Sequence, residues 1–159
     1  MRQKREKMQN GTYMVSSNII PEIANILCTE ETQSLFMEVL EEATTLYRVK
    51  ISNFVVLRDE FQMVIQTIEE TDISLVMQWV KQVFSIRFNR RFNRSGTIWK
   101  GRFKSILLRM KDRIIEFIKK LDNLPIRLNL CKEKGEYQYS GAWHIKSNIR
   151  HIIKETTIN

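Results

Sequence analysis

Two short apolar runs joined by a polar link constrain the fold of this chain most strongly. Residues 49–57 and 61–67 are rich in Val, Ile and Phe, and the polar residues Arg58-Asp59-Glu60 separate them. Apolar β-branched and aromatic runs around a short polar link predict an antiparallel β-hairpin. Because the rest of the chain mixes strands and helices without a regular strand–helix–strand repeat, we predict an α+β domain with an antiparallel sheet and helices packed against it.

Capping residues and helical spacing predict the helices. Thr29 is an expected N-cap for a helix that ends at Leu46, and Asp72 is an expected N-cap for a helix over residues 73–88. The remaining predicted elements are a strand at 12–17, an extended stretch at 97–108, a helix from Asp112 to Leu121, a structured segment at 124–131 and a short helix at 142–153.

The length of 159 residues fits one domain, with a charged N-terminal tail at residues 1–10 and a folded part at 11–159. No apolar run approaches the roughly 20 residues of a membrane span, and the charged start does not resemble a secretory signal. Cys28 and Cys131 are too few for a disulfide framework and fit a reducing compartment. We therefore expect a cytoplasmic protein without a membrane partner.

The charge is unusual in its amount and in its distribution. The chain has 26 basic and 18 acidic residues, a net charge of +8 and an isoelectric point near 9.7. Residues 81–111 hold ten basic residues and no acidic one, whereas residues 22–46 hold six acidic residues and no basic one. The basic stretch favours a polyanionic partner, chiefly nucleic acid or an anionic membrane surface, although an ordinary solvated basic face would have the same composition.

Aromatic residues are interleaved with the basic ones. Basic groups neutralise phosphates and aromatic rings stack on bases, so the combination is typical of nucleic-acid binding. We nevertheless expect most of these rings to lie in the core. The rings are those of Phe84, Phe88, Phe92, Trp99 and Phe103.

Common catalytic motifs are absent from the sequence, which has no P-loop, Rossmann glycine pattern or CxxC pair. Glu60 and Gln62 alternate along a predicted strand, so they point to one side and would hold Mg²⁺ weakly, unless they only form the polar face of a hairpin. His144 and His151 are two helical turns apart but lack nearby acidic or thiol partners. These residues alone indicate a basic α+β domain that binds nucleic acid.

The most specific motifs lie in residues 77–104, which read MQWVKQVFSIRFNRRFNRSGTIWKGRFK. They resemble a segment of the single-tyrosine HUH transposases, particularly the REP-associated tyrosine transposases. The matching residues are Phe88-Asn89-Arg90, Ser95-Gly96, Trp99 and Gly101-Arg102-Phe103. Looser matches are Tyr13-Met14-Val15-Ser16, LDNLPIRLNL at 121–130 and EYQYSGAW at 136–143, so the resemblance spans most of the chain.

The resemblance implies a fold, a partner and a chemistry. The fold is a central antiparallel sheet flanked by helices in a ferredoxin-like arrangement. The partner is hairpin-forming single-stranded DNA, which members of the family cut with a tyrosine nucleophile and a divalent metal ion, Mg²⁺ or Mn²⁺. The residues expected to contact DNA phosphates are Arg87, Arg90, Arg91, Arg94, Lys100, Arg102 and Lys104.

The positions that carry the family's chemistry hold other residues here. Its two metal-binding histidines fall on Glu60 and Gln62, and its tyrosine falls on Lys120. An amine would have to be neutral and desolvated to attack a phosphate, so lysine is a poor replacement for tyrosine. The histidine that the family has on its first strand falls on Met14. The polar metal ligand that follows the family's tyrosine falls on Leu124, or on Asn123 if the alignment is shifted by one residue.

Three hypotheses follow. The first is a DNA-binding relative of the transposases, a monomer or a homodimer, that lacks a cofactor and has lost cleavage. The second is an active nuclease or transposase in which Glu60 and Gln62 hold the metal ion and water replaces tyrosine. The third is a protein-interaction module or decayed remnant, whose acidic helix would face a protein partner.

Overall fold

The computed structural model describes residues 4–23, 27 and 29–154. A four-stranded antiparallel sheet with the order β2-β3-β1-β4 lies at its centre. Cys28, the start of the predicted tail and the end of the predicted folded part lie outside the described residues. The strands are β1 (Thr12–Asn18), β2 (Val49–Val56), β3 (Glu60–Thr67) and β4 (Lys104–Leu108).

Helices cover both faces of the sheet and confirm the predicted α+β class. They are α1 (Glu30–Leu46), α2 (Ile73–Arg91), α3 (Lys111–Arg127) and α4 (Gly141–Lys146). The predicted caps are confirmed: Thr29 Oγ1 accepts from the Thr32 N–H at 3.2 Å, and Asp72 Oδ1 accepts from the Ser74 N–H at 2.8 Å. Within the described ranges no helix is long and apolar enough to cross a membrane.

The larger core lies between the sheet and the α1–α2 layer. Phe36 of α1 is its centre, with ring centroids 4.8 Å from Phe61 of β3 and 5.2 Å from Phe84 of α2. Trp99 completes the cluster at 5.7 Å from Phe61. The expectation that most aromatic residues of the basic stretch belong to the core is confirmed for Phe84, Phe88, Trp99 and Phe103, whereas Phe92 is exposed.

Helix α3 packs on the opposite face over a smaller apolar cluster that includes Met14 and Leu121. Asn53 of β2 attaches one flank of this helix to the sheet. Its Nδ2 donates to the Ile118 carbonyl and to Asp122 Oδ1, both at 2.9 Å, and its Oδ1 accepts from the Phe54 N–H. A register shift in the β2–β3 pairing lies beside Asn53.

Two predicted elements are shorter in the structure than the sequence predicts. The extended stretch at 97–108 is a strand only over β4, because residues 97–103 form a loop joined to the sheet by one bridge between Ile19 and Trp99. The predicted last helix ends at Lys146, after which Asn148 takes a left-handed φ of 57°. Ile153 then bridges to Ile51, so this end of the chain borders β2 instead of remaining helical.

Helix α3 is longer than the predicted segment at both ends. It begins beside Met110, which makes no side-chain cap, rather than at an Asp112 cap. Pro125 lies inside its last turns with its ring buried, and Asn129 ends the helix with a left-handed φ of 58°. A proline near the end of a helix removes a single backbone hydrogen bond, which burial of its ring can offset. The structured segment predicted at 124–131 is therefore partly the end of α3.

The first described residues lie along the folded part. Arg5 donates to the Phe103 carbonyl at 2.7 Å, with its guanidinium 3.6 Å from the centroid of that ring. Lys7 pairs with Asp72 at 2.9 Å. The segment that the sequence predicts as a charged tail thus contacts the start of α2 and the loop before β4.

Candidate nucleic-acid interface

The ends of three strands meet at one end of the sheet. In the pairing register Asn18 is opposite Glu60, and Ser16 is opposite both Gln62 and Lys104. The loop before β4 is tied to the same place, since the Lys100 N–H donates to the Asn18 carbonyl at 2.8 Å. We call this region the sheet end. It brings the predicted catalytic positions of β3 next to part of the basic stretch.

Glu60 and Gln62 lie on the same face of β3, as strand alternation predicts. Gln62 Nε2 and Asn18 Nδ2 each make a long hydrogen bond of 3.4 Å to the Glu60 carboxylate. Burial raises the pKa of Glu60, and the nearby Asp59 adds to this, while the two amides and Lys104 act in the opposite direction. The carboxyl group therefore holds its proton more readily than an exposed glutamate.

This arrangement fits a divalent cation poorly. Mg²⁺ and Mn²⁺ prefer several oxygen ligands with full or partial negative charge, and the sheet end offers a single half-buried carboxylate whose amide neighbours present N–H groups to it. Across the described ranges, no three His, Cys, Asp or Glu side chains are grouped so that they could hold a metal ion. His144 is buried against Phe54, and the His151 Nδ1 lies 3.6 Å from Glu41 Oε1.

The other predicted positions of the family's active site hold structural or solvent-facing side chains. Lys120 is exposed on α3, where its Nζ lies 3.2 Å from Glu116 Oε1 and 4.7 Å from the Phe117 ring centroid. Leu124 and Met14 pack into the apolar cluster under α3. Asn123 is exposed.

Two of the tyrosines have their hydroxyl groups occupied by structural hydrogen bonds. Tyr137 donates to the Val56 carbonyl at 2.6 Å and accepts from Gln33 at 3.2 Å, and burial raises its pKa. The Tyr13 hydroxyl bonds to the backbone of Met8. These contacts fix both rings within the fold.

Six of the seven predicted DNA-contacting residues divide into two sets by their surroundings, and Arg94 belongs to neither set. The paired cations, Arg87 and Arg91, face α1: Arg87 makes two hydrogen bonds of 2.9 and 2.7 Å to Glu42, and Arg91 lies 2.5 Å from Glu31. The pairing raises the pKa of Arg87 and lowers that of Glu42. Arg94 donates to Asn89 Oδ1 at 2.9 Å.

The open cations are exposed and have no acidic partner within salt-bridge distance among the described residues. Three of them follow one another along the loop and the start of β4, beside the sheet end. The open cations are Arg90, Lys100, Arg102 and Lys104. Such a cluster produces a local positive potential that attracts phosphate groups.

A groove beside the open cations was missed by the sequence analysis. Polar residues of α2 form one wall of a cavity of about 690 Å³, and the loop from Trp99 to Phe103 forms the other. We call it the α2 groove. The signal that would have predicted it is a polar stripe at helical spacing, opposite the apolar stripe of α2: Ser74, Gln78, Lys81, Gln82 and Ser85.

Comparison with known families decides the relationship. The family model described as "Transposase IS200 like" matches residues 19–120, which is more than half of the chain. The chain belongs to the IS200-like transposase family. The match begins directly after β1 and covers the hairpin, both helices of the larger core, the basic stretch and α3 as far as Lys120. No curated protein sequence matches the chain significantly.

Two solved structures confirm the fold. A REP-associated tyrosine transposase bound to a REP hairpin has a TM-score of 0.77 at 14% identity, over 100% of this chain and 93% of that one. A candidate transposase from Deinococcus radiodurans R1 has a TM-score of 0.53 at 14% identity, over 76% of this chain and 97% of that one. The resemblance read from the motifs and the predicted transposase-like fold are thus confirmed.

Proposed function

We propose that this member of the IS200-like family recognises single-stranded or hairpin DNA without cutting it. The observation that carries the proposal is the run of exposed cations beside the sheet end, Lys100, Arg102 and Lys104, which form no salt bridge with a described acidic side chain. The similar REP-associated transposase structure, which is bound to a REP hairpin, adds support for a DNA partner. We further propose a cytoplasmic protein that binds DNA as a monomer or a homodimer.

The absence of cleavage is proposed from the chemistry of three side chains. Glu60 and Gln62 replace the histidines that the family resemblance places around a divalent cation, and neither side chain offers an imidazole nitrogen. Lys120 stands where the family's tyrosine is expected, yet its amine is exposed and paired with Glu116. A charged amine has no lone pair with which to attack a phosphate.

Fluorescence anisotropy tests the binding part of the proposal. Labelled DNA would be a stem-loop from sequence flanking the protein's own gene, a scrambled single strand and a duplex, each titrated at two salt concentrations. We expect preference for the stem-loop, with a log–log salt slope of about −0.7 for each contacted single-strand phosphate. Equal binding to all three DNAs, or affinity that does not change with salt, would overturn the proposal.

A cleavage assay tests the catalytic part. The protein is incubated with the stem-loop DNA and Mg²⁺ or Mn²⁺, and the products are run on a denaturing gel. We expect neither a covalent protein–DNA adduct nor nicked DNA. Metal-dependent nicking that disappears in Glu60→Ala would support the second hypothesis instead, and an adduct that survives denaturation would show that a nucleophile other than water remains.

A further inference from the structure

The α2 groove is concave, polar and cationic. Its walls carry Lys81 and Arg102 together with the amides of Gln78 and Gln82, and none of its described lining residues is acidic. Arg5 lies at its edge, held over the Phe103 ring. A concave surface with excess positive charge and neutral hydrogen-bonding groups suits an anionic ligand that also has polar edges.

Lys81 is held in place by the loop opposite it. Its Nζ donates to the Gly101 carbonyl at 2.9 Å and lies 5.4 Å from the Trp99 ring centroid. The Trp99 indole N–H donates to the Lys81 carbonyl at 2.9 Å, so the helix and the loop are joined twice at this residue. An ammonium group has three donors, and the Gly101 carbonyl takes one of them. The group is thus positioned by the fold before a ligand arrives.

The electrostatics of the groove also favour an anion. Partial burial lowers the pKa of Lys81 to about 8, and the charge of Arg5 contributes in the same direction. A bound phosphate would reverse this effect, because an adjacent negative charge stabilises the ammonium form. Arginine side chains do not titrate in this range, so Lys81 is the titrating side chain among the described residues that line the groove.

The surface of the α2 groove continues into the region of the open cations at the sheet end. Arg102 lines it, Lys104 lies two residues further on at the sheet end, and a second cavity of about 480 Å³ shares Arg5, Arg102 and Phe103 with it. A polymer with a phosphate at each repeat would therefore meet cations on α2, on the loop and on β4 in succession. A small free anion would gain nothing from this continuity.

We propose that the α2 groove binds the phosphodiester backbone of a single nucleic-acid strand, with Lys81 and Arg102 contacting phosphates and Gln78 and Gln82 contacting sugars or base edges. The inference rests on the proposed DNA-binding function and extends it from the sheet end to a face of α2. Trp99 and Phe103 are buried, so the groove would read backbone and polar edges rather than stack bases.

The test measures the affinity of four variants for a labelled oligothymidylate, which has no hairpin. Lys81→Gln is expected to bind roughly tenfold more weakly, with a salt slope smaller in magnitude by about 0.7. Gln78→Ala combined with Gln82→Ala is expected to cost roughly threefold without touching the Gly101 contact. Lys119→Gln removes the same charge from an exposed position on α3, on the other face of the sheet, and is expected to leave affinity and slope unchanged.

Lys81→Arg distinguishes ligand binding from a purely structural role. Arginine keeps the charge but does not titrate, so this variant should bind well and lose part of the pH dependence. In the wild type, affinity should fall more steeply above the pKa of Lys81 than it does in Lys81→Arg. Thermal unfolding of each variant reports whether the loop contact alone has been lost.

The outcomes separate this inference from the proposed function. Stem-loop binding by the wild type, with Lys81→Gln indistinguishable from Lys119→Gln, would overturn the inference and leave the proposed function intact. Loss of stability in Lys81→Gln without loss of affinity would also overturn it. A wild-type protein that binds neither DNA would overturn both.

Discussion

The paired cations and the open cations come from one stretch of sequence but face different surroundings. Arg87 and Arg91 point towards α1, whose glutamates neutralise them, whereas three of the open cations lie beside the sheet end, where Lys104 acts on the half-buried carboxyl group of Glu60. A count of basic residues treats the two sets alike. Their comparison teaches that folding an acidic helix against a basic one converts part of the net charge into intramolecular pairs.

The largest expected effect separates the two sets by DNA binding. Replacing Lys100, Arg102 and Lys104 together by alanine should weaken stem-loop binding by roughly 100-fold at low salt and reduce the salt slope in magnitude by about 2. Replacing Arg87 and Arg91 by alanine should cost less than about threefold, because their charges already face glutamates. Anisotropy titrations at two salt concentrations measure both effects, and circular dichroism checks the folding of each variant.

The comparison would fail if the two sets of variants weakened binding equally. That result would mean that net charge alone attracts DNA. A greater loss of affinity in the Arg87 and Arg91 variant would mean that these arginines leave the glutamates of α1 and contact DNA when it binds.

The next largest effect concerns stability, to which the paired cations contribute and the open cations do not. Arg87→Ala should lower the free energy of unfolding by about 0.5–1 kcal/mol, because it removes a two-point contact with Glu42 at a partly exposed site. The corresponding fall in Tm is roughly 2–3 °C. Arg90→Ala, one turn along the helix among the open cations, should leave Tm unchanged. Equal Tm values for both variants would show that the ion pair contributes nothing to stability.

The pH dependence of that difference follows from the lowered pKa of Glu42. A carboxyl group with a lowered folded-state pKa contributes its full stability above the unfolded-state value and loses it as the pH falls through the folded-state value. The difference in Tm between the wild type and Arg87→Ala should therefore be constant near neutral pH and disappear in acid. A difference that persists in acid would point to packing of the arginine stem instead of its charge.

The smallest effect concerns the carboxyl group beside the open cations. Because burial raises the pKa of Glu60, its charged form opposes folding above the folded-state pKa. Glu60→Gln should therefore raise Tm by roughly 1 °C near neutral pH, and the gain should vanish as the pH falls to the unfolded-state pKa. Glu70→Gln, at an exposed position, is the matched control. A lower Tm for Glu60→Gln would show that Lys104 stabilises the charged carboxylate more than burial opposes it.

Local features of this fold could be predicted from the sequence and distant ones could not. The Thr29 and Asp72 caps depend on residues two or three positions away, and the shared face of Glu60 and Gln62 depends only on strand alternation. The ion pair between Arg87 and Glu42 joins residues 45 positions apart, so no local pattern signals it. The loop at 97–103 is predicted as extended because its composition suits a strand, whereas its lack of regular pairing depends on residues that are distant in the sequence, such as Ile19.

Pro125 shows why a boundary rule can fail inside a folded chain. The predicted helix ends at Leu121, four residues before Pro125, and proline disfavours a helix interior. Its buried ring instead belongs to the packed face of the last turns, and the helix continues to Arg127. The family's tyrosine position at Lys120 consequently lies well within the helix, where only the tertiary packing determines which flank faces solvent.

The attachment of α3 through Asn53 has a consequence for how this protein can change over generations. The hydrogen bonds that hold the helix involve Ile118 and Asp122, whereas Lys120 and Asn123 are exposed and lie outside them. Substitutions at those exposed positions leave the anchor intact and should be nearly neutral for folding. Selection for a stable domain therefore does not oppose substitutions that add or remove a catalytic side chain at these positions of α3.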